Sequence, residues 1–281
     1  MMQKAKKEHN MKNRILGLTV IAAVFNAQAT LVSFDEAGYT AGALDEQGAA
    51  GGSTWNANGN TVDPTDGGSV ILATGTDQWK YGIFRENLRA DSGNNDFTVS
   101  QTISWTENAP TGNNDAFSLI INDTLNGSSA IRAYLNRLGT DNYKLGIKSD
   151  LDVDLGSATF SDTLFGLDDI GDTTSDSITF SLNLVAGASS NDWSYTVSLY
   201  NETTDSVIGS ISDTGITTSE DLFTATSLYG GFSSSRAESV HGLTDRVITS
   251  FEVIAVPEPA TMGMVSAVGI GLLFVRRRFM M

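Results

Sequence analysis

The stretch Ala130–Lys148, AIRAYLNRLGTDNYKLGIK, decides how the body of this chain is expected to fold. Apolar and polar residues alternate on both sides of residues 139–142, Gly-Thr-Asp-Asn, which are residue types that favour tight turns. Alternation with a period of two is typical of a strand that has one buried face. The stretch therefore predicts a β-hairpin with strands over Ala130–Leu138 and Tyr143–Lys148.

The same pattern recurs before and after the hairpin. Phe97–Trp105 (FTVSQTISW) alternates cleanly except at Gln101. Strands are also predicted over Ala116–Ile121, Ile178–Leu184, Trp193–Tyr200, Ser206–Ile211, Ser227–Phe232 and Val247–Ile254. Short strands joined by polar turns predict an all-β fold, an antiparallel two-sheet β-sandwich over residues 30–255. Long helices are expected only at the two termini.

The order of these strands resembles the concanavalin A-like (LamG-like) jelly roll. The resemblance rests on the Phe97–Trp105 strand, the Ala130–Lys148 hairpin, the stretch 227–235 (SLYGGFSSS) and the stretch 247–253 (VITSFEV). It covers residues 32–254 and implies a jelly-roll domain. It also raises glycoside hydrolysis as an activity, because some sandwiches of that class are glucanases.

The charge distribution limits the partners of this domain. Residues 30–256 hold 31 of the 33 acidic residues and nine of the 17 basic ones. A nucleic-acid site needs a basic surface, so nucleic acid is not expected as a partner. The chain has no Cys, which excludes disulfides, thiolate metal sites and a Cys nucleophile. The stability of the domain must therefore come from its apolar core.

The first 29 residues have the layout of a secretory signal peptide. A basic stretch, 11–14, precedes an uncharged apolar run, Ile15–Phe25, and small residues follow at Ala27 and Ala29, where signal peptidase is expected to cleave. Met11 is an alternative start, because a signal of more usual length begins there. The apolar run predicts a helix that is too short to span a membrane comfortably, and the layout as a whole predicts an exported protein.

The last 26 residues form a second distinct segment. Ala260–Val275 contains no charged residue, and as a helix it would be about 24 Å long, slightly under a typical hydrocarbon core. Arg276, Arg277 and Arg278 follow it and are expected to stay on the cytoplasmic side. A single C-terminal transmembrane helix is therefore predicted, with the sandwich outside the inner membrane.

Pro257, Glu258 and Pro259, the apolar helix and the terminal arginines together resemble the PEP-CTERM sorting signal of Gram-negative bacteria. The resemblance covers 256–281 and implies recognition of the Pro-Glu-Pro motif by an exosortase, a membrane enzyme that processes the tail. It also implies an inner-membrane-anchored precursor and a final location at the cell surface or in the extracellular matrix. The alternative is an ordinary C-terminal membrane anchor.

Asp150, Asp152 and Asp154 are the candidate metal ligands. Their alternation would converge three carboxylates on one side of a strand, and carboxylate oxygens suit Ca²⁺. The run departs from the helix–loop–helix calcium pattern, because Gly156 is one place late and Ser161 stands where that pattern has Glu. The alternative is a solvated strand face, with Leu151, Val153 and Leu155 packed inward.

Aromatic residues in polar stretches are the candidate glycan-binding residues. Trp55, Trp79 and Tyr81 could stack on sugar rings of an extracellular polysaccharide. Alternatively, they cover the ends of the sandwich.

Enzymatic motifs are not found. His241 is the only histidine between residues 30 and 256, and no Gly-x-Ser-x-Gly, His-Glu-x-x-His or phosphate-binding glycine loop accompanies it. The acid pairs at 35–36, 45–46, 168–169 and 220–221 are interpreted as loop residues, because neighbours on a strand point to opposite faces. The leading hypothesis is a non-enzymatic surface or matrix protein. The alternatives are a lectin-like module with a Ca²⁺-supported site and a polysaccharide-active glycoside hydrolase.

Overall fold

The computed structural model describes residues 28–49, 52–65, 68–72, 80–89, 94–107, 115–126, 130–167, 177–234 and 243–257. Within these ranges the chain forms strands, one 3₁₀ turn (Asp162–Phe165) and one short helix, α1 (Glu220–Thr224). The strands are β1 (Gln28–Ser33), β2 (Gly42–Ala43), β3 (Trp55–Asn58), β4 (Thr61–Asp63), β5 (Ser69–Ile71), β6 (Lys80–Phe84), β7 (Asn94–Glu107), β8 (Asp115–Asn122), β9 (Ala130–Leu138), β10 (Asn142–Lys148), β11 (Asp154–Ser161), β12 (Ile178–Val185), β13 (Trp193–Asn201), β14 (Ser206–Ile216), β15 (Tyr229–Ser234) and β16 (Leu243–Pro257).

These strands form two antiparallel sheets. The nine-stranded sheet has the order β14-β13-β12-β7-β16-β5-β4-β2, and β1 pairs with β16 beside that path. The seven-stranded sheet has the order β11-β10-β9-β8-β15-β6-β3. Strands that are distant in sequence lie side by side in both sheets, as in a jelly roll. The predicted all-β two-sheet sandwich is confirmed.

The predicted hairpin is confirmed in its strands and its turn. β9 and β10 pair antiparallel, with Leu145 opposite Leu135 and Asn142 opposite Leu138. Gly139 has a φ of 70°, a left-handed conformation that glycine adopts without steric cost. The strand predicted over Phe97–Trp105 extends further at both ends, as β7. The strands β1, β6 and β11 were not predicted, nor were β2 to β5, which hold too few residues to show a period.

An apolar core lies between the two sheets. Ile131, Ala133 and Leu135 of β9 are fully buried, as their alternation predicts, and they belong to a cluster that includes residues of both sheets. Trp55 of β3 contacts Phe251 of β16 with ring centroids 5.0 Å apart, which joins the two sheets face to face. Burial of this core is the main source of stability in a chain without disulfides.

The strand directions bring three chain segments to one end of the seven-stranded sheet. β8 and β10 each pair antiparallel with β9, one on either side of it, so they run in the same direction and finish at the same end of the sheet. β15 pairs antiparallel with β8 and starts where β8 ends, with Tyr229 opposite Asn122. The residues after β8, the residues after β10 and the segment that precedes β15 therefore meet.

Both predicted terminal helices lie largely outside the described residues, in 1–27 and 258–281. Among the residues that the structure describes, no helix is long and apolar enough to cross a membrane.

Candidate functional site

A cavity of about 290 Å³ lies where these three segments meet. Its lining is polar apart from one leucine and comprises Asp123, Thr124, Asn126, Asp150, Ser219, Asp221 and Leu222. Each segment contributes one aspartate. Three aspartates that are far apart in sequence therefore line one depression in the surface.

The residues that follow β8 form the first side of the cavity as an ordered turn. The side-chain oxygen of Asn122 accepts the backbone N–H of Asp123 at 2.9 Å. Thr124 Oγ1 donates to Asn126 Oδ1 at 2.7 Å, and Asn56 of β3 donates its amide to the carbonyl of Leu125. Such local bonds between side chain and backbone are what Asn, Asp and Thr favour in turns.

A turn after β10 forms the second side. The N–H of Ser149 donates to the carbonyl of Val153 at 2.9 Å, and the N–H of Asp152 donates to the carbonyl of Ser149 at 3.0 Å. Both carboxylate oxygens of Asp150 accept the N–H of Ser219, at 2.9 and 3.2 Å. Asp150 therefore ties this turn to the third side of the cavity.

The third side is the segment 217–228, which contains α1 and which we call the cavity wall. Ser219 caps α1, since its Oγ accepts the N–H of Leu222 at 3.1 Å. Glu220 and Asp221 occupy the first turn, where acidic side chains complement the helix dipole. Leu222 is buried against the core, which fixes the depth of the wall.

The donor and acceptor groups of the cavity define its chemistry. Asp123, Asp150 and Asp221 offer carboxylate oxygens, while Thr124, Asn126 and Ser219 offer hydroxyl and amide groups. Hydrogen bonds to ionised acceptors are stronger than bonds between neutral groups. The arrangement suits a small ligand that donates several hydrogen bonds and carries no negative charge.

The structure does not bring Asp150, Asp152 and Asp154 together in one metal-binding group, and the strand-face alternative holds only for Leu155, which packs against the core. Asp150 and Asp152 lie in the turn before β11, and Asp154 is the first residue of that strand. Asp152 has a left-handed φ of 58° and pairs with Lys148 at 3.2 Å. Leu151 and Val153 are 50% and 53% exposed, whereas the strand-face alternative has them packed inward. Across the described residues, no group of three or more His, Cys, Asp or Glu side chains could hold a metal ion. These three aspartates do not fit Ca²⁺.

The structure also corrects the prediction for Trp55. Its ring is 0% exposed in the core, and its Nε1–H donates to Tyr39 at 2.9 Å, so no ring face is available to a sugar. Trp55 occupies a position of β3 whose side chain points into the core. Tyr81 is half-buried on β6 and is not among the residues that line the cavity. Trp79 lies outside the described residues.

Several other predicted residues are only partly placed. Ala29 lies in β1, opposite Ile254, and Pro257 is the last residue of β16. The acid pairs at 35–36 and 45–46 lie in turns, as predicted, whereas 220–221 begins α1. The remaining predicted positions lie outside the described residues; they are Ala27, Glu258, Pro259, Arg276, Arg277, Arg278, His241 and the pair 168–169.

Sequence reasoning missed Asp123, Asn126 and Ser219. A partial signal was present, because Asn122–Asn126 is a polar turn directly after a buried strand, and loops at strand ends commonly carry function. No local pattern says that this turn lies near residue 150 or residue 219, since the sheet order alone decides it.

No known family model matches the chain, and no curated protein matches it. Solved structures do. The winged bean acidic lectin, solved in complex with methyl-α-D-galactose, is 11% identical with a TM-score of 0.51, and the match covers 82% of this chain and 100% of the lectin. Lectin II from Ulex europaeus is 12% identical with a TM-score of 0.49, and the match covers 82% of this chain and 99% of that lectin. A protein of unknown function from Shewanella oneidensis MR-1 is 12% identical with a TM-score of 0.47, and the match covers 88% of this chain and 93% of that protein. The similarity to the winged bean lectin is one of fold, and the chain therefore has the legume-lectin-like, concanavalin A-like jelly-roll fold that its sequence predicts.

Proposed function

We propose that this domain is a carbohydrate-binding, non-enzymatic module and that the cavity at the end of the seven-stranded sheet is its sugar site. The observation that carries the proposal is a single depression lined by three aspartates together with residues that bear hydroxyl and amide groups. A sugar ring presents several hydroxyl donors, and a few well-placed polar groups are enough to orient such a ligand. The lectin-like fold supports this proposal as a scaffold and does not specify the sugar.

We infer that the preferred ligands are amino sugars and neutral sugars rather than uronic acids. Asp123, Asp150 and Asp221 line the cavity, and the whole chain has a formal net charge of -16. A negative field attracts cationic ligands and repels anionic ones. Because these three aspartates can accept charge-assisted hydrogen bonds from an ammonium group, a glucosamine oligomer is the sharpest probe.

Asp123→Asn is expected to weaken binding of a glucosamine tetramer about tenfold, since hydrogen bonds to charged groups contribute roughly 1.5–3 kcal/mol. The substitution keeps the shape of the side chain and removes its charge. Affinity is measured by titration calorimetry on the full-length chain, alongside the neutral N-acetylglucosamine tetramer and the anionic galacturonic acid tetramer. We expect the wild-type chain to bind the glucosamine tetramer most tightly, the N-acetylglucosamine tetramer more weakly and the galacturonic acid tetramer not at all.

Asp213→Asn is the matched control, because it removes the same charge from the exposed part of β14 in the other sheet. Equal losses for the two variants would contradict the cavity as the site. Repeating the titrations with EDTA tests the lectin alternative with a Ca²⁺-supported site, which predicts a loss that Ca²⁺ reverses. Release of reducing ends from any of the three tetramers would favour the glycoside hydrolase alternative.

We also propose that the protein is exported and sorted through its C-terminal tail. The support is the order of Pro257-Glu258-Pro259, the apolar run and the three arginines, together with the N-terminal signal pattern. Signal peptidase and an exosortase would be its processing partners. The precursor would be held in the inner membrane of a Gram-negative bacterium, and the product would reach the surface or the polysaccharide matrix.

The mass of the mature protein from its native host tests the sorting proposal. We expect the mature chain to lack the arginine-containing end, and we expect Glu258→Ala to accumulate a longer precursor in the membrane fraction. A mature wild-type chain that extends to Met281, in a host with an exosortase, would contradict the proposal.

A further inference from the structure

The cavity wall contains little regular structure, and side chains from the segment after β6 bond to it. The carbonyls of Phe223 and Ala225, at the C-terminal end of α1, both accept hydrogen bonds from one nitrogen, Nη1 of Arg89, at 2.9 and 2.6 Å. α1 has no basic residue of its own in its last turn. Arg89 thus supplies from outside the cation that the end of a helix favours.

Arg89 is held in place by what lies beneath it. Its guanidinium carbon lies 5.6 Å from the ring centroid of Phe97 and 5.8 Å from that of Trp193, both fully buried. These distances are within the range of cation–π attraction. Burial lowers the pKa of Arg89 from its ordinary value, yet arginine remains charged at neutral pH. The side chain therefore links the core to the cavity wall.

Asn87 holds the same wall two residues earlier. Its side-chain oxygen accepts the N–H groups of Arg89 and Leu228, at 3.0 and 3.1 Å, and its amide donates to the carbonyl of Thr226 at 3.3 Å. The N–H of Leu88 also donates to the carbonyl of Leu228 at 2.8 Å. Five residues of the wall, 223 and 225 to 228, are thus bonded to three consecutive residues after β6.

We propose that Arg89 and Asn87 are positioning residues for the sugar site: they fix the cavity wall, and with it Ser219 and Asp221, in the geometry that binds. This inference rests on the proposed function of the cavity. Neither residue lines the cavity. Their contribution to affinity comes from ordering the wall before the ligand arrives, so that binding need not supply that order.

Arg89→Met is expected to weaken binding of the glucosamine tetramer about tenfold, because the wall must then be ordered on binding. It is also expected to speed amide hydrogen exchange in residues 217–228 and to leave the hairpin at 130–148 unchanged. Arg89→Lys is the rescue variant: since one nitrogen makes both bonds in the wild type, a single ammonium can replace it. Affinity should recover most of what Arg89→Met loses, short of the wild-type value because an ammonium lacks the planar contact with Phe97 and Trp193. Asn87→Ala is expected to act in the same direction as Arg89→Met.

Arg85→Met is the matched control. Arg85 lies four residues earlier and forms a surface ion pair with Glu46, so this variant should change neither the affinity nor the exchange of the wall. Affinity is measured well below the melting temperature, where every variant is folded by circular dichroism. The inference would be overturned if Arg89→Met lost no more affinity than Arg85→Met. It would also be overturned if amide exchange in residues 217–228 of Arg89→Met equalled that of the wild type. A wild-type chain that does not bind the tetramer would overturn the proposed function, and the exchange measurement would still decide whether Arg89 holds the wall.

Discussion

Replacing Arg137 by Met is expected to lower the free energy of unfolding by about 3–5 kcal/mol, the loss typical when one partner of a buried ion pair is removed. Arg137, near the end of β9, is 0% exposed and donates to Glu107 Oε2 at 2.8 Å and to the carbonyl of Thr140 at 2.9 Å. Glu107, at the end of β7, is equally buried. Removing the cation leaves a buried carboxylate without its counter-ion.

Two aromatic side chains extend this network. Tyr143 donates its hydroxyl to Glu107 Oε1 at 2.6 Å and accepts the Nε1–H of Trp105 at 2.8 Å. Burial, and then the adjacent Glu107 carboxylate, raise the pKa of Tyr143 above its ordinary value, so its hydroxyl is a donor at neutral pH. The network joins the nine-stranded sheet to the seven-stranded one through hydrogen bonds between buried polar side chains.

The size of the loss is measured by urea denaturation of the wild type, Arg137→Met and two companion variants. Arg85→Met breaks an exposed ion pair and should cost under about 1 kcal/mol. The double variant Glu107→Leu with Arg137→Met should recover part of the stability, because it leaves no uncompensated charge. A loss for Arg137→Met no larger than that for Arg85→Met would contradict the network's role.

The part of the fold that the sequence predicts best is the part governed by a local period. β9, β12 and β13 were predicted to within one residue, since side chains on a strand alternate between a buried and an exposed face. Gln101 and Arg137 show the limit of that reasoning. Both occupy inward positions of an alternating strand, and both are buried, although their polarity alone would place them at the surface. Position on the strand outweighed residue type.

The candidate site was less predictable, because no local pattern builds it. Asp123, Asp150 and Asp221 are brought together by the antiparallel order of β8, β9, β10 and β15, and that order is a property of the whole sheet. The aspartates at 150, 152 and 154 show the converse. Their spacing is that of a strand face, but the chain turns there, so equal spacing in sequence does not produce convergence.

Trp55→Ala is expected to lower the free energy of unfolding by about 3–5 kcal/mol, as large-to-small changes of buried aromatic residues do. The indole lies at the centre of an aromatic cluster, and four phenylalanine rings have centroids 5.0–6.1 Å from it: Phe34, Phe84, Phe232 and Phe251. Because those rings come from both sheets, the cavity left by the indole would lie across the sheet–sheet interface. The partner hydroxyl of Tyr39 would also lose its bond to Nε1.

The same variant separates a core role for Trp55 from a sugar-stacking role. If Trp55 stacked on a sugar, Trp55→Ala would bind the glucosamine and N-acetylglucosamine tetramers more weakly, while its free energy of unfolding stayed nearly constant. An exposed aromatic ring that stacks on a sugar makes few contacts within the protein. We expect the opposite: a large loss in urea denaturation, and unchanged affinity when binding is measured on the folded fraction at low temperature. Trp55→Phe should lose less stability than Trp55→Ala, because it refills part of the cavity. Tyr81→Ala, on the half-buried outer side of β6, is the matched aromatic control and should cost less than either. A loss of affinity in Trp55→Ala with an unchanged free energy of unfolding would contradict the core role of Trp55 that the packing of both sheets around its ring indicates.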